Sequence, residues 1–549
     1  MAKQISDSKC IAIDTETSFT DSYAERFPVG ISIYDGMFSY YIPVGHTEWV
    51  EKPINFTLPD DFLADYSGVV VMHNAKFDLH VLKRLGLEVP TGNLYDTMLM
   101  SHYIEEEPAT FIPMPHSLDS LSARKLNLLK RTDMSKIMKK GDWSGTPIAI
   151  MAKYAEQDAF NTFHLYFHFK PEFEPYEKVW TLDRTFLLQL LEMEAKGLPI
   201  SEDLCREYSV ACRVREDQIK QELGFDPAKP SQLNPKLFGE PPLGLGLTPS
   251  EFTPSRGDPK VSSDWLELQA HPVCALVLEY RRLVKQRSTF FDRFLGLSAG
   301  RMRIHPTFKA HGTVTGRLSC EDPNMQQIPR TSYTSTPVKK VFIGEPNFQL
   351  WETDYSQLEL RLAAVYSKQT NLLDDFHNDR DVHQRVADAL GISRQIAKIV
   401  NFLLIYGGGP PALSKQAKIP LNKAKEVFNN YHNLYPLLFE LMAAAERTAM
   451  TTGYVQLFSG RRRHFHHSSD CRKAFNSIIQ GGGFEIVKRS MLLCREAGVD
   501  IRNQVHDSIW YMVPEDDVDS YVSKVESIMS DWTEPAFKLK FTVESKRLN

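Results

Sequence analysis

This 549-residue sequence lacks the marks of export and of a bilayer. Its opening run, Met1-Ala-Lys-Gln-Ile-Ser-Asp, has no apolar core for a secretion signal, and no window approaches a membrane span. Cysteine is scarce: the seven (10, 205, 212, 274, 320, 471 and 494) are odd in number and form no Cys-x-x-Cys pair. They read as reduced thiols of a cytoplasmic protein. No internal repeat is present. Net positive charge is missing too, and the formal −5 argues against a simple basic nucleic-acid binder. It does not exclude a binder whose acidic sites mask local basic surfaces. What remains is ordinary globular composition, 42% hydrophobic and 24% charged, over a length that suits roughly three or four domains.

The most informative stretch is Gln349-Leu-Trp-Glu-Thr-Asp354-Tyr355-Ser356-Gln357-Leu358-Glu359. It reads as a buried strand surfacing at Asp354, a turn through Tyr355 and Ser356, and a helix that carries Glu359. A carboxylate at a strand mouth beside a backbone carbonyl suits a hard divalent cation. A second acid is expected in Ile501-Arg-Asn-Gln-Val505-His506-Asp507-Ser508-Ile509, where flanking apolar runs predict a hairpin with Asp507 at its tip. Two aspartates joined through a metal fit phosphoryl or nucleotidyl transfer. Either segment alone fits a solvated strand end or an ordinary turn equally well.

Three N-terminal segments carry further acids. Asp14 and Glu16 in Cys10-Ile-Ala-Ile-Asp14-Thr-Glu16 share one strand face, because side chains alternate. Met72-His-Asn74-Ala-Lys-Phe-Asp78 predicts a strand end and a helix, with Asn74 as N-cap and Asp78 one turn inside. Tyr154 and Asp158, four residues apart, share a helix face. A helical Tyr–Asp pair means little alone; all three segments in this order mean more.

After Pro171 the pattern changes and predicts a domain boundary. Leu182 to Lys196 reads as an amphipathic helix closed by Gly197, and the Pro/Gly-rich run from Gly239 to Pro259 as a loop. Basic residues in the helix around Glu279–Thr289 suit either a phosphate backbone or a solvated face. The turn-rich segment before the central strand projects Arg317, which suits a phosphate or minor-groove contact or an exposed connector. In Ser393 to Gly407, Arg394, Lys398, Phe402 and Tyr406 recur every four residues on one slowly winding face, opposite Ile396, Ile399, Val400, Leu403 and Leu404. Two cations followed by two aromatics match triphosphate oxygens and a sugar or base.

Residues 8 to 170 resemble DEDD-type 3′→5′ exonucleases, the proofreading domains of DNA polymerases. That resemblance implies metal binding by Asp14, Glu16 and Asp158, support of a second metal by Asp78, and a water oriented by Tyr154. Tyr95-Asp96-Thr97-Met98-Leu99 resembles the family in a structural role. Residues 300 to 545 resemble family A DNA polymerases, the group of bacterial DNA polymerase I and several phage replicases, and the middle is similar in pattern to their thumb. This implies metal binding by Asp354, Asp507 and the Tyr355 carbonyl, and triphosphate binding by His383, Arg394 and Lys398, the last counted as catalytic. Phe402 is placed against the deoxyribose, Tyr406 near the template base, and Glu359 where a 2′-hydroxyl would clash. Arg317, Arg472, Asn476, Gln480 and His506 are placed along the DNA. Gly453-Tyr454-Val455 and Gly460-Arg461-Arg462-Arg463 match a stretch bordering the palm. The cofactors implied are two Mg²⁺ per site, with Mn²⁺ as a substitute.

The expected fold is α/β and multidomain: a ribonuclease H-like exonuclease domain at 1–175, then a hand with thumb 176–300, palm 301–365 and 451–549, and fingers 366–450. No additional N-terminal 5′-nuclease domain is expected, since the exonuclease motif begins at residue 10. The expected protein is a monomeric polymerase with proofreading, read as the replicative polymerase of a phage in the host cytoplasm. It would act on primer–template DNA and dNTPs, with a processivity factor, helicase or primase as further partners. Three departures stand out: Ser508 where the family usually carries glutamate, Gly481-Gly482-Gly483 after Gln480, and a short His383-to-Arg394 connection that implies trimmed fingers. Two rival readings remain: an exonuclease with a weakened polymerase body, and a non-catalytic primer–template scaffold.

Overall fold

The computed structural model describes residues 2–18, 26–47, 54–106, 114–128, 143–254, 256–329, 335–531, 537 and 539–549. The chain is mixed α/β. Its N-terminal part is a five-stranded sheet in the order Ser39–Pro43, Pro28–Tyr34, Cys10–Thr17, Val69–Met72, Leu94–Asp96. The first two junctions are antiparallel and the last two parallel, the mixed sheet that a ribonuclease H-like reading requires. Ile11, Ala12 and Ile13 of the central strand are fully buried, and the 26-residue helix Ile148–Phe173 packs across it.

Asn74 occupies the N-cap position of helix Ala75–Arg84 but does not cap it. Its backbone is left-handed (φ 63°) and its side chain makes no cap bond. Asp96 takes that role, accepting from the backbone N–H of Asn74 (3.1 Å) and Ala75 (2.8 Å) while capping its own helix at Met98 and Leu99. One buried carboxylate thus serves two helix N-termini, whose orphan N–H groups and dipoles favour an anion there.

No flexible linker separates the two halves at residue 175. Helix Ile148–Phe173 passes through a single 3-10 turn into helix Glu177–Lys196, which Gly197 ends at φ 63°. This second helix buries apolar residues on several faces while Lys178, Thr181 and Lys196 stay exposed. Val179, Trp180 and Leu187 join one hydrophobic cluster of the N-terminal half, Leu191 another, and Phe186, Leu190 and Met193 the core of the C-terminal half. Trp180 also donates its indole N–H to the Leu94 carbonyl on the edge strand, at 2.9 Å.

The second half holds the thumb helices Glu202–Leu223 and Pro272–Gln286, which pack on each other. The basic residues of the second are largely consumed internally: Arg282 pairs with Glu267, and Arg287, just beyond it, with Glu216 and Asp292. The solvated-face reading fits them better than a phosphate track. The palm is a four-stranded antiparallel sheet, Asp500–Val505, Ser508–Pro514, Phe348–Tyr355, Val543–Arg547, backed by helices Leu358–Ser367 and Ala474–Glu496. Between the two palm segments six helices, from Thr370–His377 to Pro436–Thr452, form the fingers region. Gly391 (φ 61°) and the Ser393 cap close the short turn between helices Val382–Leu390 and Arg394–Ile405.

The two halves meet across buried charge. Asp183 receives Tyr103 Oη, Lys488 Nζ (2.5 Å) and Arg461 Nη1 (3.2 Å), and Lys488 also reaches Glu485 at 2.8 Å. Arg463 pairs with Glu106 at 2.8 Å, and Lys76 with Glu194 and the Phe308 carbonyl. The Gly460–Arg463 stretch, expected along the palm border, therefore also anchors the exonuclease domain. Removing one partner of such a buried set typically costs about 3–5 kcal/mol.

His73, His102 and His116 from one half gather with His311 from the other; the His102 ring centroid lies 5.3 Å from His116 and 6.4 Å from His311. Burial is the main cause that holds His73 down to about 3 and His116 and His311 to about 4, and it holds His102 well below its usual value. Arg461 and Arg463 push His102 the same way and Lys309 pushes His311, whereas Glu105 opposes at His116. The unfolded chain, with imidazoles near 6.5, binds protons that this junction refuses, so the cluster makes stability rise with pH between about 4 and about 6.5. The thermal midpoint should therefore fall as pH is lowered through that window, and His311→Gln should flatten the slope. Parallel melting curves for wild type and variant would show that the cluster does not titrate with unfolding.

Candidate functional site

Strand alternation places Asp14 and Glu16 on one face, and helix Ile148–Phe173 brings Asp158 to them. Ligand oxygens of all three lie within 4.8 Å of one another. Burial, and then their mutual repulsion, pushes the Asp14 and Glu16 carboxyls well above the usual range. The charged groups that act most strongly on these two are other acids, while Arg26 lines the same cleft. An all-oxygen, mutually repelling trio fits a hard divalent cation. Asp78 does not join the trio. Its Oδ1 accepts from Thr15 N (2.9 Å) and Thr15 Oγ1 (2.7 Å), and its Oδ2 is buried without a partner. Burial pushes the Asp78 carboxyl up to about 8. Its place is a brace on the strand between the two ligand positions, with an orphan oxygen left over.

Tyr154, one helical turn before Asp158, lines the same cleft of about 350 Å³ with Arg26, Phe77 and Trp143, and its ring meets Trp143 edge-on at 5.9 Å. Tyr41 was not legible as a site residue. Its hydroxyl lies 2.8 Å from His46 Nε2, and His46 Nδ1 lies 2.9 Å from the Thr146 carbonyl. The carbonyl can only accept, so Nδ1 carries the proton and Tyr41 donates to Nε2. After burial, Glu16 and Asp14 are what raise the Tyr41 phenol. A Cβ at Gly30 would collide with the Tyr41 hydroxyl, so that glycine leaves room for it.

In the palm, strand Phe348–Tyr355 ends where helix Leu358–Ser367 begins, and the hairpin turns at His506-Asp507. His506 adopts φ 54°, the left-handed backbone that a two-residue hairpin turn calls for. The strand register sets Asp354 opposite Ser508, and Tyr355 N donates to the Asp507 carbonyl at 3.3 Å. The two aspartates are thereby brought to the same end of paired strands. Gln326, unnoticed in the sequence, braces the tip: its amide donates to the Gln504 carbonyl (2.9 Å) and its oxygen accepts from His506 N (3.2 Å).

Arg317 does not project into solvent. It turns inward, 2.6 Å from Glu359 and 3.4 Å from Asp507. The same region holds Tyr406, whose phenol faces Glu359 and Gln480. On the finger helix Arg394 and Lys398 are exposed, Phe402 is half-buried, and Ala397, Val400, Leu403 and Leu404 are buried. Arg394 pairs with Asp381 at 2.8 Å. His383 is buried and held neutral, with Nδ1 2.7 Å from Asn401 Nδ2, and Asn401 accepts from Tyr431 at 2.8 Å. The Phe402 ring lies 5.8 Å from that imidazole. On helix Ala474–Glu496, Asn476 and Gln480 are one turn apart, and Asn476 donates to the Ile405 carbonyl at 3.2 Å; Arg472 is exposed just before the helix.

This fold and these sites define a class. Residues 201–547 match DNA polymerase family A, and residues 1–174 match a 3′-5′ exonuclease domain. The chain belongs to DNA polymerase family A. It is 29% identical to DNA polymerase I of Chloroflexus aurantiacus, over 96% of this chain and 60% of that one, and 29% identical to DNA polymerase I of Treponema pallidum, over 82% and 48%. It thus spans about half to three-fifths of the length of these relatives. The polymerase domain of Pol1 from M. smegmatis, solved with DNA primer-template and dNTP, superposes with a TM-score of 0.81 at 21% identity, covering 99% of this chain and 96% of that one. That likeness is one of fold.

The Gly481–Gly483 run has a local reason. A Cβ at Gly481 would lie 2.8 Å from the Thr315 carbonyl, within the turn that carries Arg317, and would also press on Leu457. Gly481→Ala should cost about 1–3 kcal/mol through overpacking and shift Arg317. A melting temperature equal to wild type would show that the turn has room to spare.

Proposed function

We propose that this chain is a template-directed DNA polymerase that extends a primer 3′ end with dNTPs and proofreads through its own 3′→5′ exonuclease site. The observation that carries this reading is that strand register brings Asp354 and Asp507 to one end of the palm sheet, where Arg317 links Asp507 to Glu359 and Tyr406, at the end of the finger helix, faces Glu359. Family membership and the DNA- and dNTP-bound state of the mycobacterial relative support it. Both aspartates remain beside Ser508, which favours extension over the exonuclease-only reading.

In this reading Arg394 and Lys398 bind the triphosphate oxygens, and Phe402 supports the sugar where it can offer no hydrogen bond. Glu359, held by Arg317, blocks the space of a 2′-hydroxyl, and Tyr406 borders the templating position. Gln480, Asn476 and Arg472 follow the duplex. Asp354, Asp507 and the Tyr355 carbonyl would hold two Mg²⁺, and Asp14, Glu16 and Asp158, with Asp78 as brace, would hold the exonuclease pair. Bound divalent cations supply charge neutralisation on phosphate and a more acidic nucleophile at both sites. Tyr154 orients the water for hydrolysis. The short connection between helices Val382–Leu390 and Arg394–Ile405 fits trimmed fingers, and a compact hand of that kind suits a phage-type replicase. No helix among the described residues is long and apolar enough to cross a membrane.

Asp14→Ala should abolish degradation of single-stranded 3′ ends and leave dNTP extension of a primed template nearly intact, with Asp507→Ala doing the reverse. The expected losses are 10²-fold or more, on the order of the 2.7 kcal/mol or greater that removing a group acting on the transition state costs. Equal loss of both activities in a folded Asp14→Ala protein would contradict two separate sites. A wild type that degrades 3′ ends yet extends no primer would leave the exonuclease alone.

A further inference from the structure

The palm strand that ends in Asp354 carries a second acid on the same face. Glu352, two residues upstream, is 4% exposed, so it sits about 6–7 Å along the strand from Asp354. Its register partners are Trp510 on one neighbouring strand and Lys546 on the other. The carboxylate is saturated by donors: Lys339 Nζ at 2.8 Å to both oxygens, Lys546 Nζ at 3.2 Å, Trp510 Nε1 at 3.2 Å and Ser508 Oγ at 3.0 Å. With four donor groups already in place, it has no lone pair directed at a metal site. Ser508 is the residue directly after Asp507 and is 2% exposed. Its single hydroxyl proton lies within reach of Glu352 and of the Val505 carbonyl at 2.9 Å, and the charged acceptor makes the stronger bond.

We infer that Glu352 is a positioning residue for the polymerase metal site, fixing Asp507 through Ser508 and fixing Asp354 through their common strand. This rests on the polymerase reading above. The anion ties the two strands together at the end where the two aspartates must face one another, and Lys339 and Lys546 hold the anion. Gln326 braces the opposite side of the same hairpin tip, so the tip is gripped from both flanks. Charge adds to geometry. Loss of the Glu352 charge leaves Lys339, itself mostly buried, unpaired one strand step from Asp354, where its positive charge opposes a divalent cation. Ser508, in the position where family members usually carry an acid, is then the link to an acid on the adjacent strand.

The test measures Mn²⁺ binding by electron paramagnetic resonance on the full chain in an Asp14→Ala, Glu16→Ala background, so that the polymerase site dominates. Outer partners of metal ligands commonly contribute about 10–100-fold in affinity. Glu352→Gln should therefore weaken Mn²⁺ binding about tenfold, and Ser508→Ala should weaken it in the same direction. Ser508→Thr, which keeps the hydroxyl, should bind as the parent does. The half-saturating Mg²⁺ concentration for primer extension should rise in parallel, with less change at saturating Mg²⁺. Exonuclease activity of each variant with Asp14 and Glu16 intact reports folding. Unchanged Mn²⁺ affinity in a folded Glu352→Gln protein, or equal affinities for Ser508→Ala and Ser508→Thr, would overturn the inference. A parent chain that binds Mn²⁺ but extends no primer would sink the polymerase reading, while the Glu352 inference would still be judged by these affinities.

Discussion

Carboxylates repel one another, and this structure nevertheless has to hold them together in places where little protein charge offsets them. Strand geometry is what makes that possible. Alternation puts Asp14 and Glu16 on one face of a strand whose residues 11–13 are fully buried, and antiparallel register sets Asp354 beside the turn that bears Asp507. The sheets obtain their stability from apolar packing and ladder bonds elsewhere, so the acids need contribute none. Asp78 shows the same logic one step removed: it bonds Thr15, between the two ligand positions, and stiffens the strand that presents them.

The second constraint is that the two halves that carry these sites pack on a shared helix. A single helix, Glu177–Lys196, contributes to three hydrophobic clusters and so leaves no hinge where composition suggests a boundary. Around it lies a shell of buried ion pairs, Asp183 with Lys488 and Arg461, and Glu106 with Arg463. Buried pairs of this kind add little net stability relative to apolar packing, but they penalise any arrangement that leaves one member alone. They specify how the halves meet.

Much of this was legible in the residues. The strand–turn–helix at Asp354, the hairpin at Asp507, the acids at 14, 16 and 158, and the two-faced helix from Arg394 each carried a short-range periodic signal, and local periodicity survives folding. What escaped notice was long-range. Nothing in the sequence near Glu352 says that Lys339 and Ser508 will surround it, and nothing near Arg461 says that Tyr103 and Asp183 await it across the junction. The Asn74 expectation failed for a related reason. A local capping signal was overridden by Asp96, which folding brought to the same N-terminus from the neighbouring strand. Arg317 looked like a projecting group because its acceptors, Glu359 and Asp507, lie 42 and 190 residues away.

Arg317 also separates the two sites electrostatically. In the palm a guanidinium already touches Asp507 and Glu359, so part of the negative charge is balanced before any cation arrives. In the exonuclease cleft the groups that act most strongly on Asp14 and Glu16 are other acids, with Arg26 on the cleft wall, and burial raises both carboxyls further. Such a trio favours keeping a proton until a divalent cation displaces it. The exonuclease trio would therefore lose protons as it gains metal.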